Sequence, residues 1–209
     1  MGPDKPRSPK VGGWTVLAPD AAALRSVMRH YPTGVTVVTS GQEERAEGMT
    51  ANAVISVSLD PLLLLVSVHK EARLNPRIKE EGYFAVNILA DDQEGLSRLF
   101  ASPERSSGPP AIHSLGGGYG STGAPLAAGA LAAIECELEE VYFGGDHDLF
   151  LGRVVAVRTG DTRKGPLLYH EGSYPTLKPV PRPEDAGAFI DSVRGYDARL
   201  RGLRDRKRG

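Results

Sequence analysis

Cysteine is almost missing from this chain of 209 residues: Cys136 stands alone. An internal disulfide and any thiolate cluster for zinc or iron–sulfur are thereby excluded. Ala132, Ile134 and Leu138 alternate with Glu135, Glu137 and Glu139 around it, so Cys136 is expected to face a core. A surplus of charge is missing too, since 25 Lys and Arg face 26 Asp and Glu for a formal net charge of −1. No whole-chain field draws nucleic acid or a membrane surface. No apolar run approaches the length of a bilayer span, and Met1–Trp14 lacks the apolar centre of a secretory signal, so the expected location is cytoplasmic.

The length suits one well-cored domain. Residues 1–13, rich in Pro, Gly and charge, read as a disordered tail, residues 14–178 as the domain, and residues 179–209 as a charged extension. That extension carries seven basic side chains between Arg194 and Arg208. A solvated appendage is the expectation for it, and an arm for an acidic partner is the alternative.

The most informative stretch is Gly48 to His69. Met49, Ala51, Ala53, Ile55, Val57 and Leu59 occupy odd positions, with Thr50, Asn52, Ser56 and Ser58 between them. A period of two predicts extended chain with one buried face. After the Asp60-Pro61 turn, Leu62 to Val66 is apolar on both faces, as in a strand covered on both sides. The polar face of the first strand carries no charge before Asp60, which suits a flat heterocycle held by hydroxyl and amide groups; a solvated edge is the plainer alternative.

Around this stretch, Asp20 caps a helix with Leu24, Val27, Met28 and Tyr31 on one face, expected to stop at Pro32. Gly34–Ser40 reads as a strand, joined by a polar hairpin through Gly41–Glu47. Leu74–Glu81 reads as a helix with Pro76 in its first turn, Tyr83–Leu89 as a strand, and Asp91 or Asp92 as the cap of a helix ending near Phe100. Ser102–Pro125 reads as a long loop, and within it Gly118-Tyr119-Gly120-Ser121-Thr122-Gly123 satisfies G-x-G-x-x-G. The dinucleotide fingerprint needs a strand before it and a helix after it, and neither is evident here, so a loop is the expectation. Leu131–Phe143 and His147–Val157 form a hairpin across Gly144-Gly145-Asp146, and Leu167–His170 with Tyr174–Leu177 a short last pair. Seven or eight strands joined mostly by hairpins predict a mainly β, antiparallel barrel with flanking helices.

The blocks Pro32-Thr33-Gly34-Val35-Thr36-Val37-Val38-Thr39, Gly48-Met49-Thr50-Ala51-Asn52 and Ser56-Val57-Ser58-Leu59-Asp60-Pro61 come in a telling order. They are followed by Phe84-Ala85-Val86-Asn87-Ile88-Leu89, Gly123-Ala124-Pro125-Leu126, Gly145-Asp146-His147 and Pro166-Leu167-Leu168-Tyr169-His170. In this the chain resembles the short-chain flavin reductases, reductase components of two-component flavin monooxygenases with the FMN-binding split β-barrel fold. The resemblance implies a homodimer, FMN or FAD as flavin, NADH or NADPH as hydride donor, and a monooxygenase partner. It implies flavin contacts at Thr33, Met49, Thr50, Ala51, Asn52, Ser56, Val57 and Ser58, and along Ser67, Val68, Ala72 and Arg73, with Arg73 facing the phosphate. His147 would lie near the nicotinamide and orient it. Glu71, Ala72 and Leu74 stand where the family tends to have hydroxyls, and Ala53 where a Ser is common, so fewer phosphate bonds are expected here. A protein that keeps its flavin for another redox or oxygen-using step is one alternative. A non-catalytic binding module acting through the basic extension is the other.

Overall fold

The computed structural model describes residues 10–161 and 163–177. A small ribbon, β1 (Lys10–Val11) with β2 (Trp14–Thr15), occupies part of the expected N-terminal tail. Helix α1 (Ala21–Met28) starts where expected, the Asp20 carboxylate accepting from the Ala23 N–H at 2.7 Å. It stops before Pro32 because its end tightens into short-range bonds, His30 N–H to Val27 C=O and Tyr31 N–H to Met28 C=O. The strand expected over Gly34–Ser40 is divided into β3 (Thr33–Gly34) and β4 (Thr36–Ser40). At the break, Val35 donates to the Leu167 carbonyl and accepts from the Leu89 N–H.

A 3-10 turn, Glu43–Arg45, leads into β5 (Glu47–Ala51), which pairs with β4 from Thr36↔Ala51 to Ser40↔Glu47. Then come β6 (Val54–Leu59), β7 (Leu62–His69), α2 (Leu74–Glu81) and β8 (Tyr83–Ile88). Helices α3 (Glu94–Ala101) and α4 (Pro109–Leu115) follow, then β9 (Gly116–Tyr119) and β10 (Pro125–Ala127). The long hairpin β11 (Ala132–Gly144) and β12 (His147–Thr159) precedes the short β13 (Leu168–Tyr169).

Seven strands form one antiparallel sheet in the order β5-β4-β8-β11-β12-β7-β6. Its two edges, β5 and β6, are consecutive in the chain with only Asn52 and Ala53 between them. Three Cα steps span at most about 11 Å. The sheet must therefore roll until its edges almost meet, a barrel with an open seam. The single strand expected over Met49–Leu59 is thus two strands on opposite edges. Its alternation was real, but the break at Asn52-Ala53 divides its apolar face. Met49, Ala51 and Val54 pack in the core, whereas Ile55, Val57 and Leu59 are 58 %, 49 % and 76 % exposed. Between Ser56↔Leu64 and Ser58↔Leu63 the register slips, so Val57 is the extra residue of a bulge.

The rolled sheet encloses Val38, Leu64, Val66, Val68, Phe84, Val86, Cys136 and Phe150, closed at one end by Leu74 and Ile78 of α2. Cys136 is fully buried, and burial pushes its thiol up to about 12, which removes the reactive thiolate at neutral pH. The outward residues of β7, Leu63, Leu65 and Ser67, are only half-buried, so one face of that strand is covered rather than two. A second core, with Val35, Val37, Leu89, Phe100 and Leu115, lies between the sheet and α3 and α4. Gly48 belongs there because a Cβ would stand 2.6 Å from the Phe100 ring.

Three local expectations change. Neither Asp91 nor Asp92 caps α3: Asp91 accepts from the Gly165 N–H and Asp92 from Lys164, leaving Gln93 at the cap. Ser102–Pro125 is not structureless, since it contains α4, with prolines in its first turn, and β9. The last pair is also different: β13 pairs with β3, and the turn after it keeps only a His170↔Ser173 bridge. The expected extension over residues 179–209 lies outside the described residues.

Candidate functional site

Thr50 of β5 and Asn52 just beyond it each make one structural hydrogen bond. The Thr50 hydroxyl donates to the Ser97 carbonyl of α3 at 2.7 Å. The Asn52 amide donates to the Thr33 hydroxyl at 3.2 Å. Ser97 in turn shares a 2.9 Å hydrogen bond with the Tyr174 hydroxyl. The Tyr174 ring meets Tyr169 edge-on at 5.5 Å and lies 5.0 Å from the Arg98 guanidinium. These groups surround a cleft of about 230 Å³ lined by Val35, Thr50, Ala51, Asn52, Ser97, Ala101 and the two tyrosines, without a charged side chain. A neutral, partly apolar wall with amide and hydroxyl groups suits a flat, hydrogen-bonding ring system.

Not all the expected contacts share this cleft. Thr33, Thr50, Ala51 and Asn52 come together at it. Ser56, Val57 and Ser58 lie on the opposite sheet edge, where the Ser58 hydroxyl accepts from the Asp60 N–H. Ser67 holds the seam through its N–H, which donates to the Ala53 carbonyl. The Met49, Val68 and Ala72 side chains turn to the core, so their backbones are what remain for a ligand. Ser97, Tyr169 and Tyr174 were missed, because nothing in their local pattern places them beside residue 50. Tyr169 lies within Pro166–His170, a segment that carries the family resemblance, and this was the one available signal.

Arg73 begins α2, its Nε 3.4 Å from Glu47 Oε1, and it donates to the Arg105 carbonyl. Arg105 donates to the Gly48 carbonyl at 2.7 Å. Burial pushes the Glu47 carboxyl above its usual range despite Arg73, Arg105 and Arg77 nearby, and its Oε2 has no partner. Arg73 is thus paired with a partly satisfied carboxylate, while Arg105 beside it is held by the Gly48 and Ser102 carbonyls.

His147 sits where β12 begins, in register with His69 at the end of β7. The imidazoles meet edge to face at 5.0 Å. His147 Nδ1 lies 2.8 Å from Asp146 Oδ1, while His69 Nδ1 accepts from the Glu71 N–H. The hydrogen bond from His147 holds the Asp146 carboxyl below its usual range. With its Nδ1 given to that carboxylate, His147 has no hydrogen-bond partner at Nε2 among the described residues. The adjacent Asp148 is fixed by Lys79 at 2.6 Å and Asn75 at 3.1 Å, which anchors this strand end to α2.

The G-x-G-x-x-G loop is accounted for without a ligand. The buried Glu135 carboxylate accepts from the Thr122 N–H at 2.8 Å and from Arg158 at 2.9 Å. A Cβ on Gly120 would stand 2.3 Å from Glu135 Oε2, so glycine is required there by the chain's own carboxylate. The Gly120, Thr122 and Gly123 N–H groups, donors that a pyrophosphate would use, are already engaged within the chain.

Fold and cleft together define a split β-barrel with a neutral cleft at one sheet edge. The family model for the flavin reductase like domain matches residues 28–178, and the chain belongs to that family. It is 46 % identical over 160 residues to an NADH-dependent FMN reductase (AsuE2) of Streptomyces nodosus subsp. asukaensis, covering 77 % of this chain and 86 % of that protein. An NADH-dependent FAD reductase of Streptomyces globisporus is 41 % identical over 161 residues, covering 77 % and 87 %. Among solved structures, BorF, the flavin reductase component of a bacterial two-component tryptophan halogenase, superposes with a TM-score of 0.71 at 41 % identity, covering 77 % of this chain and 100 % of that one.

Proposed function

We propose that this protein is an NADH-dependent flavin reductase that supplies reduced flavin to an oxygen-using partner, a flavin-dependent monooxygenase. The uncharged cleft beside Thr50–Asn52, in a member of this family, is the observation that carries the reading. Held in this cleft, a flavin would supply N5 as the acceptor for the hydride of a dihydronicotinamide. The chain's part is to bind and orient: Thr50, Asn52, Ser97 and Tyr174 frame the ring, and Arg73 with Arg105 faces the phosphate. His147, fixed by Asp146, steadies the nicotinamide and moves no proton in the transfer.

The functional unit is a homodimer. Edge strand β6 exposes Ile55, Val57 and Leu59, and β12 exposes Val155 and Val157, apolar surface that a second copy would remove from water. Light scattering should give twice the chain mass, and a monomeric result would remove this part of the proposal.

The direct test mixes the protein with NADH and, separately, FMN, FAD or riboflavin, and follows loss of dihydronicotinamide absorbance. Turnover dependent on added flavin is expected. A protein that stays yellow through purification and ignores added flavin would overturn the reading.

A further inference from the structure

A second cleft, of about 380 Å³, shares Asn52 and Tyr169 with the first and runs to the C-terminal end of α1. Its character is opposite, because Arg25 and Arg29 line it. They stand four residues apart, one above the other on the helix, where like charges repel. The helix C-terminus favours cations and offsets that repulsion, but it does not require both at one cavity wall. Among the described residues neither guanidinium has a carboxylate partner. Arg29 Nη2 reaches only the Glu171 carbonyl, at 3.5 Å. The acid lining the same cleft, Glu171, is engaged elsewhere, with Oε1 2.6 Å from His30 Nδ1. That pair and the Glu171 N–H bond to the Arg29 carbonyl clamp α1 onto the turn after β13. The two cations are therefore held at a positioned wall rather than on a loose end.

Resting on the flavin-reductase reading, we propose that this cleft binds the pyrophosphate arm of a dinucleotide, with Arg25 and Arg29 as its contacts. A guanidinium fork matches phosphate oxygens, and two of them one turn apart match a diphosphate better than a single phosphate. A dinucleotide whose ring end lies against Asn52 and Tyr169 in the neutral cleft meets these cations with its charged end. The neutral compartment takes the reacting ring, and the cationic one takes the charge that would be costly to place beside it.

The double variant R25A/R29A is compared with wild type and with R25K/R29K. With riboflavin as acceptor, the KM for NADH should rise about tenfold, the loss of roughly one charge-assisted contact. The rate with N-benzyl-1,4-dihydronicotinamide, a phosphate-free donor, should change less than twofold, and the lysine variant should recover part of the NADH effect. A loss of FAD affinity that spares FMN would place the flavin's own pyrophosphate in the cleft, which supports the same chemistry here and overturns the placement of FAD's phosphates at Arg73. Unchanged NADH KM and unchanged FAD affinity would overturn the proposal, as would an equal fall with the phosphate-free donor. Calorimetric binding of ADP to wild type, absent in the double variant, reports on the cleft even if wild type reduces no flavin. No binding of ADP to wild type counts against the cleft alone.

Discussion

Two segments of this chain that combine glycine with threonine do opposite things in three dimensions. Gly118–Gly123 carries a recognisable phosphate-loop spacing, yet its Thr122 N–H and hydroxyl are turned onto the buried Glu135 carboxylate. Gly48–Asn52 carries no such spacing, yet its hydroxyl and amide groups frame an open, uncharged cleft. Glycine serves a packing purpose in both, admitting a carboxylate at Gly120 and a phenyl ring at Gly48. A small-residue motif thus shows that something approaches the backbone closely. Whether that is a ligand or the protein itself depends on the opposite wall.

The largest effect that separates the two segments is expected from Gly120→Ala. Its Cβ would displace a carboxylate that is held by several bonds and cannot swing away, costing about 3 kcal/mol in denaturant unfolding. Intact stability with lost nicotinamide binding would make the loop a ligand site and end the comparison. Next comes Glu135→Gln, which should remove about 2 kcal/mol at neutral pH and flatten the acid limb of the stability profile. Burial alone would raise this carboxyl, but the Thr122 N–H, Arg158 and the Thr122 hydroxyl together hold it below its usual range. A carboxyl lowered on folding gives stability that is present above its unfolded pKa and lost as pH falls through the folded value. The wild type should therefore lose more stability on acidification than the variant, and parallel curves would contradict this.

On the ligand side, Arg73→Ala should weaken FMN about tenfold while sparing riboflavin, measured by fluorescence quenching. Equal loss for both flavins would detach Arg73 from the phosphate. The smallest effect is expected from His147→Ala, a rise of about three- to fivefold in the KM for NADH with flavin affinity kept. Unchanged kinetics would take His147 out of the site.

Much of the barrel was legible because its signals are local. The period of two on either side of Asn52-Ala53, the Asp20 cap and the Gly144–Asp146 hairpin each act within a few residues, and each element is present. What escaped depends on distant partners. The Asp91 and Asp92 side chains resemble caps until Lys164 and Gly165 arrive to take them. The continuous alternation from Met49 to Leu59 carries no mark of the point where the chain leaves one sheet edge for the other. The candidate cleft was half visible, with Thr33, Thr50 and Asn52 foreseen and Ser97, Tyr169 and Tyr174 not.

By itself the sequence determined a mainly antiparallel barrel, a buried cysteine and a segment free of charge, since periodicity, capping and the absence of charge are properties of neighbouring residues. Only the tertiary structure decided that β5 and β6 flank a seam, that tyrosines from the far end of the domain wall the cleft, and that Glu135 fills the glycine loop. Those outcomes rest on groups brought together from 13 residues apart at Thr122 and Glu135 and 77 apart at Ser97 and Tyr174, where burial and hydrogen-bond satisfaction, rather than local pattern, select the partner.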